Sequence, residues 1–193
     1  MTHSHSLQNQ FLIATPQLNE GIFKASVTYI CEHSEEGAMG VIVNRPSNIA
    51  AQQIFDELDF SADRAAQTAF ASQLVMLGGP VDLQRGFVLH RRAPSEVQWS
   101  SSLPVSDEIA LTGSRDILRA LSAGRGPKDF LLLLGYAGWS AGQLEEELAG
   151  DGWLVSPATT EILFATPCDE RAAAAAALLG IDLASLASHS GHA

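Results

Sequence analysis

The sequence is poor in basic residues, and lysine is the scarcest of them. Lys24 and Lys128 are the only lysines in 193 residues, and 11 lysines and arginines face 22 acidic residues, for a formal net charge of −11. A DNA-binding protein makes roughly six to ten phosphate contacts, mostly through lysine and arginine. Such an interface would use most of the basic side chains on one face against a repulsive background. The composition therefore argues against direct binding of nucleic acid.

Long apolar runs and a disulfide pattern are also missing. No apolar run approaches the roughly 18–20 residues that span a bilayer. The polar segment 2–10 has neither the basic nor the apolar part of a signal peptide. The two cysteines, Cys31 and Cys168, match neither a disulfide framework nor a zinc-ligand set. We therefore expect a cytoplasmic protein without a membrane-spanning segment.

Motifs for metal binding and for nucleophilic catalysis are absent as well. No His-Glu-x-x-His or Cys-x-x-Cys spacing occurs, and no glycine loop carries the lysine of a P-loop. Cys31 and His33 share a face of a predicted strand, but side chains at that spacing lie about 6.5–7 Å apart at the backbone. A buried structural cysteine is therefore favoured over a thiolate–imidazole pair. We predict no metal, no cofactor and no catalytic residue.

The sequence does contain enough apolar residues for one well-packed domain. Apolar residues make up 46% of the chain and charged residues 17%. We predict a single domain over residues 1–193, with flexible tails at 1–10 and 188–193. Strand and helix patterns alternate irregularly and include a hairpin, which favours an α+β fold over a parallel α/β fold.

Hydrophobic periodicity and turn residues give the individual elements. The predicted strands span residues 11–14, 27–34, 38–44, 74–77, 86–90, 109–111, 130–134, 153–155 and 162–164. Two predicted helices span residues 49–58 and 115–123, and two more begin at Ser140 and at Pro167. Residues 34–37 form the hairpin turn, in which Gly37 tolerates a positive φ. Residues 61–73 fit a helix by composition, but no residue marks where such a helix would begin or end.

A glycine-rich run follows the apolar strand 130–134. We interpret residues 135–140 as a tight turn into a helix, with Ser140 and Gln143 as a capping box. Free amides at such a helix N-terminus favour an anion. However, the three glutamates at 145–147 would each repel a monoanion by about 0.5 kcal/mol in water. Close packing of the strand, the helix and Trp139 is the simpler explanation of the glycines.

Several short motifs resemble, in their order and spacing, those of the AlgH/YqgE family of bacterial proteins. They include Phe11-Leu12-Ile13-Ala14, Asn44-Arg45-Pro46, Gly78-Gly79-Pro80-Val81, the glycine-rich run and Gly191-His192-Ala193. The resemblance covers nearly the whole chain and departs at Ala172, where members of the family often carry a tryptophan. It implies a single α+β domain whose mixed, largely antiparallel sheet curls into a barrel-like core with peripheral helices. It also implies a transcriptional regulator without a recognisable DNA-binding motif.

Five side chains are candidate contacts for a ligand or a partner: Asn44, Arg45, His90, Trp139 and Glu145. Asn44, Arg45 and His90 lie at predicted strand ends, where functional groups are held on a rigid scaffold. The guanidinium of Arg45 can hold a carboxylate or phosphate at two points. The alternative is that Asn44 closes a turn and that Arg45 forms an ordinary ion pair with a carboxylate. Glu145 is the one glutamate of its triplet near the apolar helix face, where a structural salt bridge is the alternative.

We predict a non-catalytic binding or regulatory module that acts through a protein partner or a small ligand. The oligomeric state does not follow from the sequence. The alternative is an enzyme of unknown reaction, with a site near Asn44, Arg45, His90 and Glu145. One reacting group can contact all four only if they lie within about 10 Å of one another. A third hypothesis, direct DNA binding, requires a contiguous, exposed patch of four residues: Arg115, Arg119, Arg125 and Lys128.

Overall fold

The computed structural model describes residues 5–60, 65, 68–70, 72–92 and 98–189. In this part of the chain, ten strands and six helices form an α+β fold, as predicted. The strands are β1 (Gln10–Ala14), β2 (Val27–Ser34), β3 (Gly37–Ile42), β4 (Pro46–Ala50), β5 (Leu74–Leu77), β6 (Val81–Arg91), β7 (Ser102–Pro104), β8 (Ile109–Thr112), β9 (Phe130–Ser140) and β10 (Trp153–Pro157). The helices are α1 (Ala51–Glu57), α2 (Arg115–Ser122), α3 (Gln143–Ala149), α4 (Thr160–Phe164), α5 (Arg171–Ala177) and α6 (Leu183–His189).

The ten strands belong to one mixed sheet that curls around its own apolar face. The strand order is β10-β1-β2-β3-β9-β6-β8-β7, and β5 pairs with both β4 and β9. Only the pairing of β5 with β9 is parallel among the described strands. The two ends of the sheet approach each other, since Gln8 before β1 donates a hydrogen bond of 3.0 Å to the carbonyl of Val105 after β7. The curled interior contains a buried core around Phe11, Tyr29 and Leu133. The predicted barrel-like core is confirmed.

The helices cover both faces of the sheet. Helices α4 and α5 pack into the curled interior through Leu163 and Ala176. Helices α1 and α2 cover a second core on the outer face around Phe55 and Ile117. Helix α3 covers a third core through Leu144. Because both faces are buried, β2 and the first half of β9 carry apolar side chains on both sides. None of the described helices is long and apolar enough to cross a membrane.

The interpretation of residues 135–140 as a tight turn is wrong, because β9 runs without interruption through them to Ser140. Its first half pairs with β5 and β6, and its second half pairs with β3. The change of partner occurs near Gly135, which has a φ of +73°. A Cβ atom on Gly78 would lie 2.3 Å from the carbonyl oxygen of Gly135, and one on Gly135 would lie 2.6 Å from that of Gly79. The glycines therefore let two stretches of backbone cross in direct contact.

Four predicted elements differ from those of the structure, and one of them is the helix predicted to begin at Ser140, which begins at Gln143. Residues 162–164, predicted as a strand, belong to α4, whose N-terminus is capped when Thr159 Oγ1 accepts a hydrogen bond of 3.1 Å from the Ile162 amide. The predicted helix 49–58 is shorter, because residues up to Ala50 extend as β4. The last predicted helix begins at Arg171 and not at Pro167. Short apolar runs do not distinguish strand from helix by periodicity, which explains the error at 162–164.

The hairpin of β2 and β3 is confirmed, with Gly37 at a φ of +133°. The expectation of a flexible tail over residues 1–10 does not hold from Leu7 onwards. The Leu7 amide donates a hydrogen bond of 2.9 Å to His33 Nδ1, and the Asn9 amide donates one of 2.9 Å to the carbonyl of Ile30. Residues 1–4 and 190–193 of the predicted tails, and most of the segment 61–73, lie outside the described residues.

Substitution of Gly78 by Ala tests the backbone crossing. The new Cβ would lie 2.3 Å from the carbonyl oxygen of Gly135, so the two segments must separate. We expect the free energy of unfolding to fall by about 3 kcal/mol or more, at the upper end of overpacking effects. Gly86→Ala is the matched control, because its Cβ would have no neighbour closer than 4.0 Å. Urea denaturation checks both variants, and an equal effect of the two would contradict the role of the crossing.

Candidate functional site

Asn44 and Arg45 bind the segment that precedes β2. Asn44 accepts a hydrogen bond of 2.8 Å from the Val27 amide and donates one of 2.9 Å to the carbonyl of Ala25. Arg45 Nη2 donates a hydrogen bond of 2.7 Å to the carbonyl of Lys24. Its buried Nε has no hydrogen-bond partner among the described residues. The two side chains thus hold Lys24 and Ala25 against the end of the β2–β3 hairpin, and Asn44 has the structural role left open above.

His90 links strands inside the sheet. It is 1% exposed on β6, and its Nε2 lies 2.9 Å from Thr112 Oγ1 on β8. The Thr112 hydroxyl donates a hydrogen bond of 2.9 Å to Ser102 Oγ on β7. The other ring nitrogen of His90, Nδ1, lies 3.3 Å from the carbonyl oxygen of Arg91. His90 therefore connects three strands through one chain of hydrogen bonds.

Glu145 pairs with His33, a partner that the sequence analysis did not predict. Glu145 Oε1 lies 2.7 Å from His33 Nε2. The other ring nitrogen, Nδ1, accepts the Leu7 amide proton, so the ring proton is on Nε2 and points to the carboxylate. The His33 side chain is 4% exposed and that of Glu145 is 45% exposed. The pair fastens the segment before β1 to α3.

A β-bulge places His33 on the face that α3 covers. The pairing of β2 with β3 shifts register between Ile30 and Glu32. Cys31 lies in the curled interior, whereas His33 pairs with Ala38, which packs in the core under α3. A bulge places two residues opposite one and so changes which side chains share a face. The prediction that Cys31 and His33 share a face is wrong. Cys31 is fully buried, as expected for a structural cysteine, and burial raises the pKa of its thiol.

Trp139 belongs to an aromatic cluster that surrounds a carboxylate. The indole Nε1 atoms of Trp139 and Trp153 both donate to Glu147 Oε2, at 2.9 and 2.8 Å. Gln143 Nε2 donates to Glu147 Oε1 at 3.0 Å. The ring of Phe23 packs against both indoles, with centroid distances of 6.2 and 5.7 Å.

The prediction that only Glu145 of the triplet is partly buried is wrong, because Glu147 is half-buried and Glu145 is exposed. A helix that begins at Ser140 would place Ala141 in one apolar stripe with Leu144 and Leu148, but Ala141 is exposed and precedes α3. Without Ala141, the stripe consists of Leu144 and Leu148. Glu145 and Glu147 then flank this stripe about equally, at roughly 80° each for 100° per residue. The two indole donors decide which carboxylate turns inwards.

Two neighbouring cavities form a trough where the curled interior opens. One measures about 480 Å³ and is lined by residues that include Gln8, His33 and Trp139. The other measures about 390 Å³ and is lined by residues that include Arg85, Phe87 and Tyr136. Glu32 and Met39 line both, so the cavities adjoin. We name this combined space, whose lining includes these eight residues, the mouth trough.

The lining of the mouth trough includes one guanidinium, that of Arg85, and two carboxylates, those of Glu32 and Glu36. The guanidinium carbon of Arg85 lies 5.0 Å from the centroid of the Phe87 ring. In the described part of the chain, neither Arg85 nor Glu32 takes part in a salt bridge. The sequence analysis missed both residues. The one available signal was the charge of Glu32 directly after the apolar segment that ends at Cys31.

The comparisons with known proteins agree with this fold. A family model described as AlgH-like matches residues 11–184. The chain belongs to the AlgH-like family. A UPF0301 protein of Thioalkalivibrio sulfidiphilus is 50% identical over 193 residues, which is 100% of both chains. A UPF0301 protein of Chromobacterium violaceum is 51% identical over 190 residues, covering 98% of this chain and 99% of the relative.

Two solved structures share the AlgH-like fold. The solution structure of the AlgH protein from Pseudomonas aeruginosa superposes with a TM-score of 0.77 at 43% identity, covering 100% of this chain and 99% of that one. The crystal structure of a Corynebacterium diphtheriae protein gives a TM-score of 0.66 at 21% identity, covering 86% of this chain and 83% of that one. At this lower identity, the likeness concerns the fold alone.

The AlgH-like fold separates the five candidate side chains. Trp139 lines the mouth trough, and Glu145 reaches it through His33. Asn44 is hydrogen-bonded to Val27, about 20 Å from His33 along β2 at ~3.3 Å per residue. His90 pairs with Phe130, at the end of β9 opposite to Trp139. The four residues of the enzyme alternative therefore do not form one site. Among the described residues, no group of three His, Cys, Asp or Glu side chains could hold a metal ion.

The basic residues considered for DNA binding lie on the outer surface. Arg115 and Arg119 both lie over the ring of Phe60, with guanidinium carbons 5.7 and 5.4 Å from its centroid. Arg125 and Lys128 are exposed after α2. The four residues thus have the exposure that the DNA-binding hypothesis requires. Arg115 and Arg119 lie together over the Phe60 ring.

Substitution of Glu147 by Gln tests the carboxylate between the tryptophans. The variant loses the charge that strengthens the indole hydrogen bonds, and its amide group faces the donor of Gln143. We expect the free energy of unfolding to fall by about 1–2 kcal/mol, together with a changed tryptophan emission. The exposed neighbour provides the control, Glu146→Gln, for which we expect no change. Equal stability of the two variants in chemical denaturation would contradict this role.

The pairing of Glu145 with His33 predicts a pH dependence of stability. The backbone amide of Glu145 and the hydrogen bond with His33 lower the pKa of the Glu145 carboxyl below its ordinary value of 4.5. A lowered pKa stabilises the fold above the unfolded-state pKa, and this contribution is lost as the pH falls through the folded-state pKa.

Wild type should therefore be more stable than Glu145→Gln at about pH 7, by less than about 1 kcal/mol because the carboxyl is exposed. The difference should disappear at about pH 3. Urea midpoints at both pH values measure it, with Glu57→Gln on α1 as a surface control. A difference that is independent of pH would rule out the carboxylate as its source.

Proposed function

We propose that this AlgH-like protein is a non-catalytic binding module with a regulatory role, and that its ligand occupies the mouth trough. The observation that carries the proposal is the adjacency of the two cavities, of about 480 and 390 Å³, through Glu32 and Met39. Ligand pockets typically measure about 300–1,000 Å³. The trough has this size, and its lining mixes polar side chains, such as Gln8 and Glu32, with apolar ones, such as Met39 and Phe87.

The side chains of the trough favour a ligand with both an acidic and an amino group. The guanidinium of Arg85 can hold a carboxylate at two points. Glu32 can accept a hydrogen bond from an ammonium group, and Met39, Phe87 and Tyr136 supply an apolar surface beside the charges. A free amino acid or the terminal residue of a short peptide has this combination of groups.

The regulatory part of the proposal concerns the segment before β1. Gln8 lines the trough and bonds to Val105, and His33 holds the Leu7 amide. A ligand in the trough contacts this segment directly and can change the surface that it presents to a protein partner. Action through a protein partner also fits the net charge of −11, which disfavours contact with DNA. The free thiols of Cys31 and Cys168 fit the reducing cytoplasm.

A titration with amino acids and dipeptides tests the proposal. The probes are the twenty amino acids and the dipeptide Leu-Leu, with Trp139 emission and backbone NMR shifts as readouts. We expect saturable binding of at least one probe, with shifts at Glu32, Met39 and Phe87. Arg85→Met should weaken it roughly tenfold or more, as expected when a charged hydrogen-bond donor is lost.

Arg125→Met is the control, because it removes an exposed arginine outside the trough. The proposal fails if no probe gives a saturable change at millimolar concentration. It also fails if the two arginine variants weaken binding equally.

A further inference from the structure

A third cavity lies on another side of the molecule, between β1, the segment before β2 and the helices α5 and α6. It measures about 320 Å³, and apolar side chains dominate its wall, among them Ile13, Pro16, Leu18 and Leu183. None of its lining residues also lines the mouth trough. It is therefore a separate site, and an argument about it does not depend on the proposed function.

Asn44 and Arg45 hold one wall of this cavity in place without lining it. The wall includes Lys24 and Ala25, whose carbonyl oxygens accept hydrogen bonds from Arg45 and Asn44. Ala25 has a φ of +56°, a left-handed conformation that a residue with a Cβ adopts only under constraint. The Asn44 side chain supplies this constraint by bonding on both sides of Ser26. The two polar residues act as positioning residues for the cavity wall and do not line the cavity themselves.

Among the described residues that line the cavity, the one charged side chain is a cation, although the protein is acidic. Lys24 lines the cavity and takes part in no salt bridge in the described part of the chain. The guanidinium of Arg45 bonds to the Lys24 carbonyl and also lacks a carboxylate partner there. Arg171 precedes the lining residue Ala172, is 5% exposed and donates to the carbonyl oxygens of Thr166 and Val43. Lys24 thus supplies the cavity with a cation that has no salt-bridge partner among the described residues, while the two arginine side chains bond to backbone carbonyls.

We infer that this cavity binds the hydrocarbon chain of a medium-chain carboxylate, with its head group at the ammonium of Lys24. The apolar wall favours an apolar chain, and the ammonium of Lys24, which takes part in no salt bridge in the described part of the chain, favours an anionic head group. A volume of about 320 Å³ equals roughly ten groups of ~30 Å³, the liquid volume of one water. A chain of about eight carbons fits this space with its carboxylate at Lys24, and Asn19 adds a polar group to the lining.

Calorimetric titration of the full chain with hexanoate, octanoate and decanoate tests the inference. Each buried methylene should increase the affinity about fourfold, and the increase should stop when the chain exceeds the cavity, near eight carbons. Octylamine carries the opposite charge and should bind several-fold more weakly than octanoate. Failure of octanoate to bind saturably at millimolar concentration, or equal binding of octylamine, would overturn the inference.

Variants separate the role of the charge from that of the cavity. Lys24→Met keeps the aliphatic stem and should weaken octanoate binding roughly two- to fivefold, as for an exposed ion pair. Lys128→Met removes the other lysine of the chain and should have no effect. Ala172→Phe should abolish binding by filling the cavity, and Ala187→Leu on α6 does the same from the opposite wall. Circular dichroism checks that these variants fold, and unchanged octanoate binding by a folded filling variant would place the ligand elsewhere.

Discussion

The architecture depends on a direct contact between two backbones that no residue with a side chain would allow. Gly78 and Gly79 lie against Gly135 and its neighbour Tyr136, at distances that leave no room for a Cβ atom. This contact lets β9 leave the partners of its first half and join β3 without a break in the strand. The interior core and the mouth trough belong to one curled sheet for this reason, and not to two sheets joined by a loop.

Local signals in the sequence were sufficient for most of the fold. The hairpin of β2 and β3, with Gly37 at its turn, and the strands around Leu77 and Leu133 follow from turn chemistry and apolar runs. The segment after Gly135 could not be predicted in the same way. A glycine at positive φ is compatible both with a turn and with a bend in a continuous strand. Which of them forms is decided by Gly78 and Gly79, far away in the sequence.

The candidate site was less predictable than the fold, because polar side chains find partners that are distant in sequence. Asn44 and His90 were sensible candidates by residue type, yet the structure engages both in hydrogen bonds within the protein. The bulge at Cys31 moves His33 to the outer face and so creates its contact with Glu145. The residues of β2 alone do not predict a bulge. Arg85 lines the trough only because β6 and β8 come together on the same side of the curled sheet.

The crossing of Gly78 with Gly135 also bears on the order of events during synthesis. The two positions are separated by more than a quarter of the chain, so their contact needs a long loop to close. Folds dominated by such distant contacts form slowly compared with helical bundles. A nascent polypeptide that has not yet emerged from the ribosome past β9 lacks the central strand that both halves need. Its early hairpin, with the apolar side chains of Tyr29 and Val41, is then exposed to chaperones and to other unfinished polypeptides.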